Sequence, residues 1–167
     1  MIRVFHGSNI VVREPLVGIG RENLDFGLGF YVTALTTQAE VWARNKARYF
    51  MQPEGTVSQY DFDLDAANAA CRFHKFEAYD REWLHFIVNN RDGGDDWRQY
   101  DIIEGGVAND RVIDTVENYR AGLIDEDTAL RLLSMHQPNH QICITRQEVV
   151  DRFLRFTDSY QVEAYVE

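Results

Sequence analysis

Gly27-Leu28-Gly29-Phe30-Tyr31-Val32-Thr33 enters a strand through two glycines, and His6-Gly7-Ser8 closes an earlier β-prone run that begins at Arg3. Glycine lets a backbone approach a neighbour or a ligand closely, and tyrosine brings an aromatic face with a polar tip. Seen singly, either stretch is a turn beside a strand. Together they mark a strand end and a glycine-flanked aromatic strand in the first quarter of the chain.

Outward from these, Thr37-Gln38-Ala39-Glu40 has the form of a capping box, and Leu35, Ala39, Trp42, Ala43 and Phe50 then fall on one helical face. Further helices are expected from Asp80 through Trp83, Ile87 and Val88, from about Asp110 to a left-handed cap at Gly122, and from Asp125 through Leu133, with a short helical piece over 149–154. Ser58, Tyr60, Phe62 and Leu64 alternate with Gln59, Asp61 and Asp63, the period of a strand with one wet face. Tyr100 to Ile103 predicts a buried strand before a turn at Glu104-Gly105-Gly106, and Gln141 to Ile144 another. A closing strand places Phe156, Tyr160, Val162, Ala164 and Val166 on one face. Strands and helices alternate irregularly, and no G-x-G-x-x-G follows the first strand, so a doubly wound dinucleotide fold is disfavoured. The expectation is an α+β fold forming a single domain over 1–167, since no repeat or Pro/Ser-rich linker divides it.

The chain has 167 residues, 45% hydrophobic and 26% charged, which excludes disorder and collagen-like repeats. Its net charge of −10 argues against a generic DNA-binding domain, whose affinity would come from neutralising phosphates. The acidity is uneven: residues 77–127 hold 14 acids and 5 bases, whereas residues 1–50 hold 6 bases and 4 acids. The N-terminal third is mildly basic. Cys71 and Cys143 form no C-x-x-C pair, and MIRVFHGSN sets Arg3 and His6 where a signal peptide needs an apolar run. A reducing, cytoplasmic location away from membranes is expected.

In this order and spacing, His6-Gly7-Ser8 and Gly27 to Thr33 resemble the NAD-binding half of the ADP-ribosyltransferase superfamily, the diphtheria-toxin and poly(ADP-ribose) polymerase type with a His–Tyr–Glu signature. Along almost its full length the chain is also similar to a bacterial family of small proteins of unknown function assigned to that superfamily. The stretches that carry this are Asn23-Leu-Asp-Phe-Gly27, Glu82-Trp-Leu-His-Phe86, Tyr100-Asp-Ile-Ile103, Val107-Ala-Asn-Asp110 and Asn139-His-Gln-Ile-Cys143. The resemblance implies split antiparallel sheets with peripheral helices and NAD as substrate. Its cofactor-binding residues would be His6, Gly7, Ser8, Gly29, Tyr31 and Trp42, with Tyr31 and Trp42 sandwiching the nicotinamide and His6 bonding a ribose hydroxyl. The catalytic set would be His6, Tyr31 and Gln141.

The third position departs from the pattern, because Asn139 to Ile144 contains no carboxylate. Strand alternation sets His140 with Ile142 and Ile144 and leaves Gln141 for the cleft. A glutamine bonds a hydroxyl but supplies no full charge, and losing one preorganised contact of that kind costs about a hundredfold in rate. The resemblance therefore implies mono-ADP-ribosyl transfer to an unknown macromolecule, or NAD hydrolysis, in a toxin with a small neutralising antitoxin partner. The alternatives are a catalytically silent NAD-binding module and an enzyme for a related phosphorylated substrate, of the RNA 2′-phosphotransferase kind. Cys71-x-x-His74 and His136-x3-His140 have zinc-like spacing but stand far apart, so no metal site is expected. Asp101 and Glu104 are read as turn residues, Asp92, Asp95 and Asp96 as a solvated loop, and Arg91 as a pyrophosphate contact or an ion-pair partner.

Overall fold

The computed structural model describes residues 1–108 and 110–165. Among the described residues, seven strands form two sheets. In the first, β1 (Ile2–Ser8) and β7 (Leu154–Glu163) flank β3 (Glu54–Phe62), all antiparallel. In the second the order is β2 (Phe30–Val32), β6 (Gln141–Ile144), β5 (Ile102–Gly105) and β4 (Phe73–Lys75). The β4–β5 pair is parallel, so the second sheet is mixed rather than wholly antiparallel. The fold class is α+β. No helix among the described residues is long and apolar enough to cross a membrane.

One face of both sheets makes a shared core, in which Val4, Tyr60 and Phe62 meet Phe30, Val32, Ile102, Ile142 and Ile144. On the opposite face, α1 (Thr36–Tyr49) lays Ala39 and Ala43 against Val57 and Val162 of the first sheet. The second sheet is covered there by α3 (Arg81–Arg91), α4 (Asp110–Arg120) and α5 (Glu126–Leu133), packed around Phe26, Trp83 and Ile87. Small α1 residues let that helix sit close, whereas aromatic residues hold α3 at full width.

Asp80 and Asp125 cap their helices, accepting from Trp83 N–H and Thr128 N–H, and Gly122, at φ 74°, ends α4. Four expectations change. α1 begins at Thr36, so Thr37 lies in the first turn and caps nothing, and Thr33 Oγ1 instead accepts from Leu35 N–H at 3.1 Å. Leu64 opens a helix, α2 (Leu64–Ala70), because Asp63 accepts from Ala66 N–H and stops the strand. Glu104 and Gly105 belong to β5 rather than to a turn. Phe156 and Tyr160 lie on opposite faces: Thr157 is an extra residue at a bulge, so Phe156 pairs with Tyr60 and Tyr160 with Val57. Val166 lies outside the described residues. The remaining helix, α6 (Gln147–Phe153), closes the shared core with Val149 and Val150.

Candidate functional site

Between β1 and β2 the two sheets touch through one bridge, in which Phe5 and Thr33 exchange both backbone hydrogen bonds at 2.8 and 2.9 Å. Extending that register sets Gly7 opposite Tyr31. The ladder stops short of them because His6 Nδ1 stands 2.7 Å from the Tyr31 carbonyl oxygen. A carbonyl only accepts, so Nδ1 carries the proton, and the ring takes the place that Gly7 N–H would fill in a continuing ladder. Period-2 alternation then leaves Gly7 N–H and C=O turned toward the opening, on the same side as those of Phe5.

Gly7 must be glycine. A Cβ there would strike the Ala39 carbonyl oxygen and lie 2.6 Å from Ala43 N and 2.9 Å from Trp42 Cβ. The strand end is pressed against α1, with the half-buried Trp42 beside it.

Register places the other members. Tyr31 pairs with Cys143, and Gln141 lies two residues along β6 on the same face, about 7 Å away at strand rise. The Tyr31 hydroxyl donates to Gly27 C=O at 2.6 Å and accepts from Phe26 N–H at 3.1 Å, which fixes the ring against the loop before β2. Gly27 adopts φ 79°, and a Cβ there would run into the Trp97 ring. Trp42 is four residues from Gln38 on α1 and shares its side of the helix. Gln38 grips the start of β6, donating to His140 C=O at 2.6 Å and accepting from His140 N–H at 3.4 Å. Tyr31 and Gln141 thus face the helical side of the second sheet, and Gly7 faces α1 on the first, with Trp42 packed beside it.

His6 does not join them on that face. Its ring lies on the shared-core side, 4.5 Å from Phe30, and burial pushes its pKa from 6.5 down to about 4, with the Tyr31 hydrogen bond opposing and Lys46 adding to the shift. It is neutral at pH 7, with Nε2 an acceptor. Ser8 donates to Asn9 Oδ1 at 3.4 Å, and Gly29 is close-packed on β6, where a Cβ would lie 2.7 Å from Ile144 O. Gln141 is only 3% exposed and its Nε2 donates to Gly106 C=O at 3.3 Å. Cys143 is buried, its thiol pushed up to about 12 by desolvation.

A family model for a protein of unknown function, DUF3990, matches residues 2–156. The chain belongs to the DUF3990 family. No curated protein and no solved structure matches it.

Around its site, this DUF3990 chain holds groups that sequence reasoning missed or weighed differently. Asp25 is buried and accepts from Arg91 Nε at 2.7 Å and Ala108 N–H at 3.0 Å, while Asn90 Nδ2 donates to its carbonyl at 2.9 Å. Arg91 also meets Glu117 at 2.9 Å, so its charge is engaged inside the protein. This network pins the loop that carries the Tyr31 contacts. On the other face of β6, Ala34 N–H donates to His140 Nδ1 at 3.1 Å, so His140 Nε2–H donates to Glu104 at 3.0 Å. Burial opposes ionisation of Glu104, but His140 and Lys75 hold its carboxyl below the usual range. Asp101 sits between Arg72, at 2.6 Å, and Arg146, at 3.3 Å. Asp25 before a glycine turn and Arg91 at a helix end were visible in the sequence, but nothing local joined them.

Proposed function

We propose that the chain binds NAD in the opening between β1 and β2 and acts as a mono-ADP-ribosyltransferase or NAD glycohydrolase. The observation that carries this is the interrupted ladder: Gly7 turns one N–H and one C=O together toward β2, the complement of a carboxamide, with Tyr31 across the broken register and the base of Trp42 packed beside Gly7. Nicotinamide is a flat aromatic carboxamide, so two flanking rings and a backbone donor–acceptor pair match both of its features. The Gly7 position accepts no side chain, which keeps that backbone pair within reach.

In the reaction the C1′–N bond of NAD breaks. Nicotinamide leaves with the electron pair, and the oxygen or nitrogen of an acceptor, or water, bonds to C1′ and loses its proton. His6, whose ring lies on the shared-core side, acts through its bond to the Tyr31 carbonyl, which keeps the Gly7 amide pair out of the ladder. Gln141 offers a neutral amide where a carboxylate would stabilise developing positive charge, which favours slow single transfer over polymer formation. Strand-end backbone, rather than a basic cluster, meets the ligand.

The resemblance to toxins supports a small neutralising partner, and the acceptor is a macromolecule. The test is nicotinamide release from NAD, followed by label transfer from NAD into a cell lysate. Release and transfer that vanish in Tyr31→Ala and Trp42→Ala support the enzyme; binding without release supports the silent module.

A further inference from the structure

His140, the residue before Gln141, is held at every polar atom it has. Gln38 Nε2 donates to its carbonyl at 2.6 Å, and Gln38 Oε1 accepts from its N–H at 3.4 Å. Ala34 N–H donates to Nδ1 at 3.1 Å, and Nε2 meets Glu104 at 3.0 Å.

The cause lies in where the ladder between β2 and β6 stops. It pairs Phe30–Val32 with Ile142–Ile144, and the same register continued sets Ala34 opposite His140. Thr33 spends its N–H and C=O on Phe5, so by alternation those of Ala34 would turn to β6 and exchange both bonds with His140. The chain instead enters α1 at Thr36, and the Ala34 N–H goes to the His140 ring. Gln38, 9% exposed, takes the vacated place: its amide carries a donor and an acceptor, as a peptide group does.

This link also joins α1 to the second sheet. Ala39 and Ala43 pack the helix on the first sheet, and among the described residues its hydrogen bonds toward the second are those of Gln38. Trp42 follows one turn later on the same side of α1, and Gln141 follows His140 directly. Gln141 Nε2 donates to Gly106 C=O at 3.3 Å, which orients the side chain, while Gln38 places the backbone that bears it.

We infer that Gln38 is a positioning residue: through the His140 backbone it sets the Gln141 amide against the ribose, and so governs the rate of C1′–N cleavage rather than the affinity for NAD. The inference rests on the NAD reading above. The groups assigned to nicotinamide are held without Gln38, since the Tyr31 hydroxyl is tied to Gly27 and Phe26 and Gly7 is pressed against α1 beside Trp42. Gln141 is different. Releasing His140 frees the first residue of β6, and a displacement of about 1 Å near a reacting atom costs about a hundredfold in rate.

The experiment follows nicotinamide release by the full-length chain and measures NAD affinity by saturation-transfer titration. Gln38→Met keeps the length of the side chain and removes both bonds. Its kcat should fall about ten- to a hundredfold, while Kd for NAD stays within about threefold. Gln147→Met is the matched control, because Gln147 also donates to a carbonyl, that of Pro15 at 3.0 Å, and accepts from an N–H, that of Val17 at 2.9 Å. It should leave kcat within about twofold. If Gln38→Met does not fold, Gln38→Asn, which draws the same amide back by one methylene, should show the same split. Unchanged kcat, equal loss of kcat in the Gln38 and Gln147 variants, or affinity lost in step with rate overturns this inference and leaves the NAD reading standing. A native chain that releases no nicotinamide overturns the inference, and one that also binds no NAD overturns that reading with it.

Discussion

His6 Nδ1 donates to the Tyr31 carbonyl oxygen at 2.7 Å, and this one bond ends the β1–β2 ladder where Gly7 and Tyr31 would otherwise pair. A single imidazole thereby separates two sheets that share a core and turns a backbone amide pair toward the opening. Replacing it with alanine frees the Tyr31 carbonyl for Gly7 N–H. His6→Ala should therefore slow hydrogen exchange at the Gly7 amide while weakening NAD binding by at least about tenfold. Exchange at Gly7 that stays fast would show that the ring is not what holds the ladder open.

The same histidine predicts a pH dependence of stability. Its folded pKa, about 4, lies below the unfolded value of 6.5, so the unfolded chain binds the extra proton first. The stability it contributes is complete above pH 6.5 and is lost as pH falls toward 4, by about 2 to 3 kcal/mol at pH 4.5. Urea denaturation at pH 7 and 4.5 should show that loss in the native chain and a much smaller one in His6→Ala. Glu104 and Asp101, held below their usual range by His140 and by Arg72, add their losses at more acid pH, and Asp25, whose carboxyl burial pushes up, acts in the opposite direction, so the difference between the native chain and His6→Ala isolates the His6 contribution.

Gly7→Ala places a methyl group against the Ala39 carbonyl and 2.6 Å from Ala43 N, atoms of helical backbone that cannot turn aside. Overpacking of this kind costs about 1 to 3 kcal/mol, and α1 must move outward, carrying Trp42 with it. Chemical denaturation measures the first effect. Quenching of tryptophan fluorescence by NAD, lost in the variant, measures the second.

Asp25→Asn removes the charge that accepts from Arg91 and leaves a largely buried guanidinium short of its partner. A loss of about 3 kcal/mol is expected, with faster exchange at Phe26, whose N–H bonds the Tyr31 hydroxyl. If exchange at Phe26 were unchanged, the Asp25 network would not be what positions Tyr31.

What the sequence made legible was local. Asp80, Asp125 and Gly122 act within a turn of themselves, and each sits where its chemistry set it. The α+β class followed from irregular alternation and from the missing phosphate-binding glycine turn after β1. Register was not legible. The bulge at Thr157 sends Phe156 and Tyr160 to opposite faces, and no one-strand periodicity contains it. Glu104 read as a turn because two glycines follow it, yet pairing with Ile142 draws it into β5, where His140 reaches it. For the candidate site, His6, Gly7 and Tyr31 stood out as residue types, but the bond that makes them one device joins residues 25 apart. Gln38, which ties α1 to β6, looked like an interior member of a capping box.

The central claim is that nicotinamide sits at Gly7 between Tyr31 and Trp42, and saturation-transfer NMR with NAD tests it most directly. Saturation of the nicotinamide ring protons exceeding that of the adenine protons, abolished by Tyr31→Ala and Trp42→Ala, is the predicted result. No saturation transfer to NAD at millimolar concentration, or transfer that survives both substitutions, would contradict it.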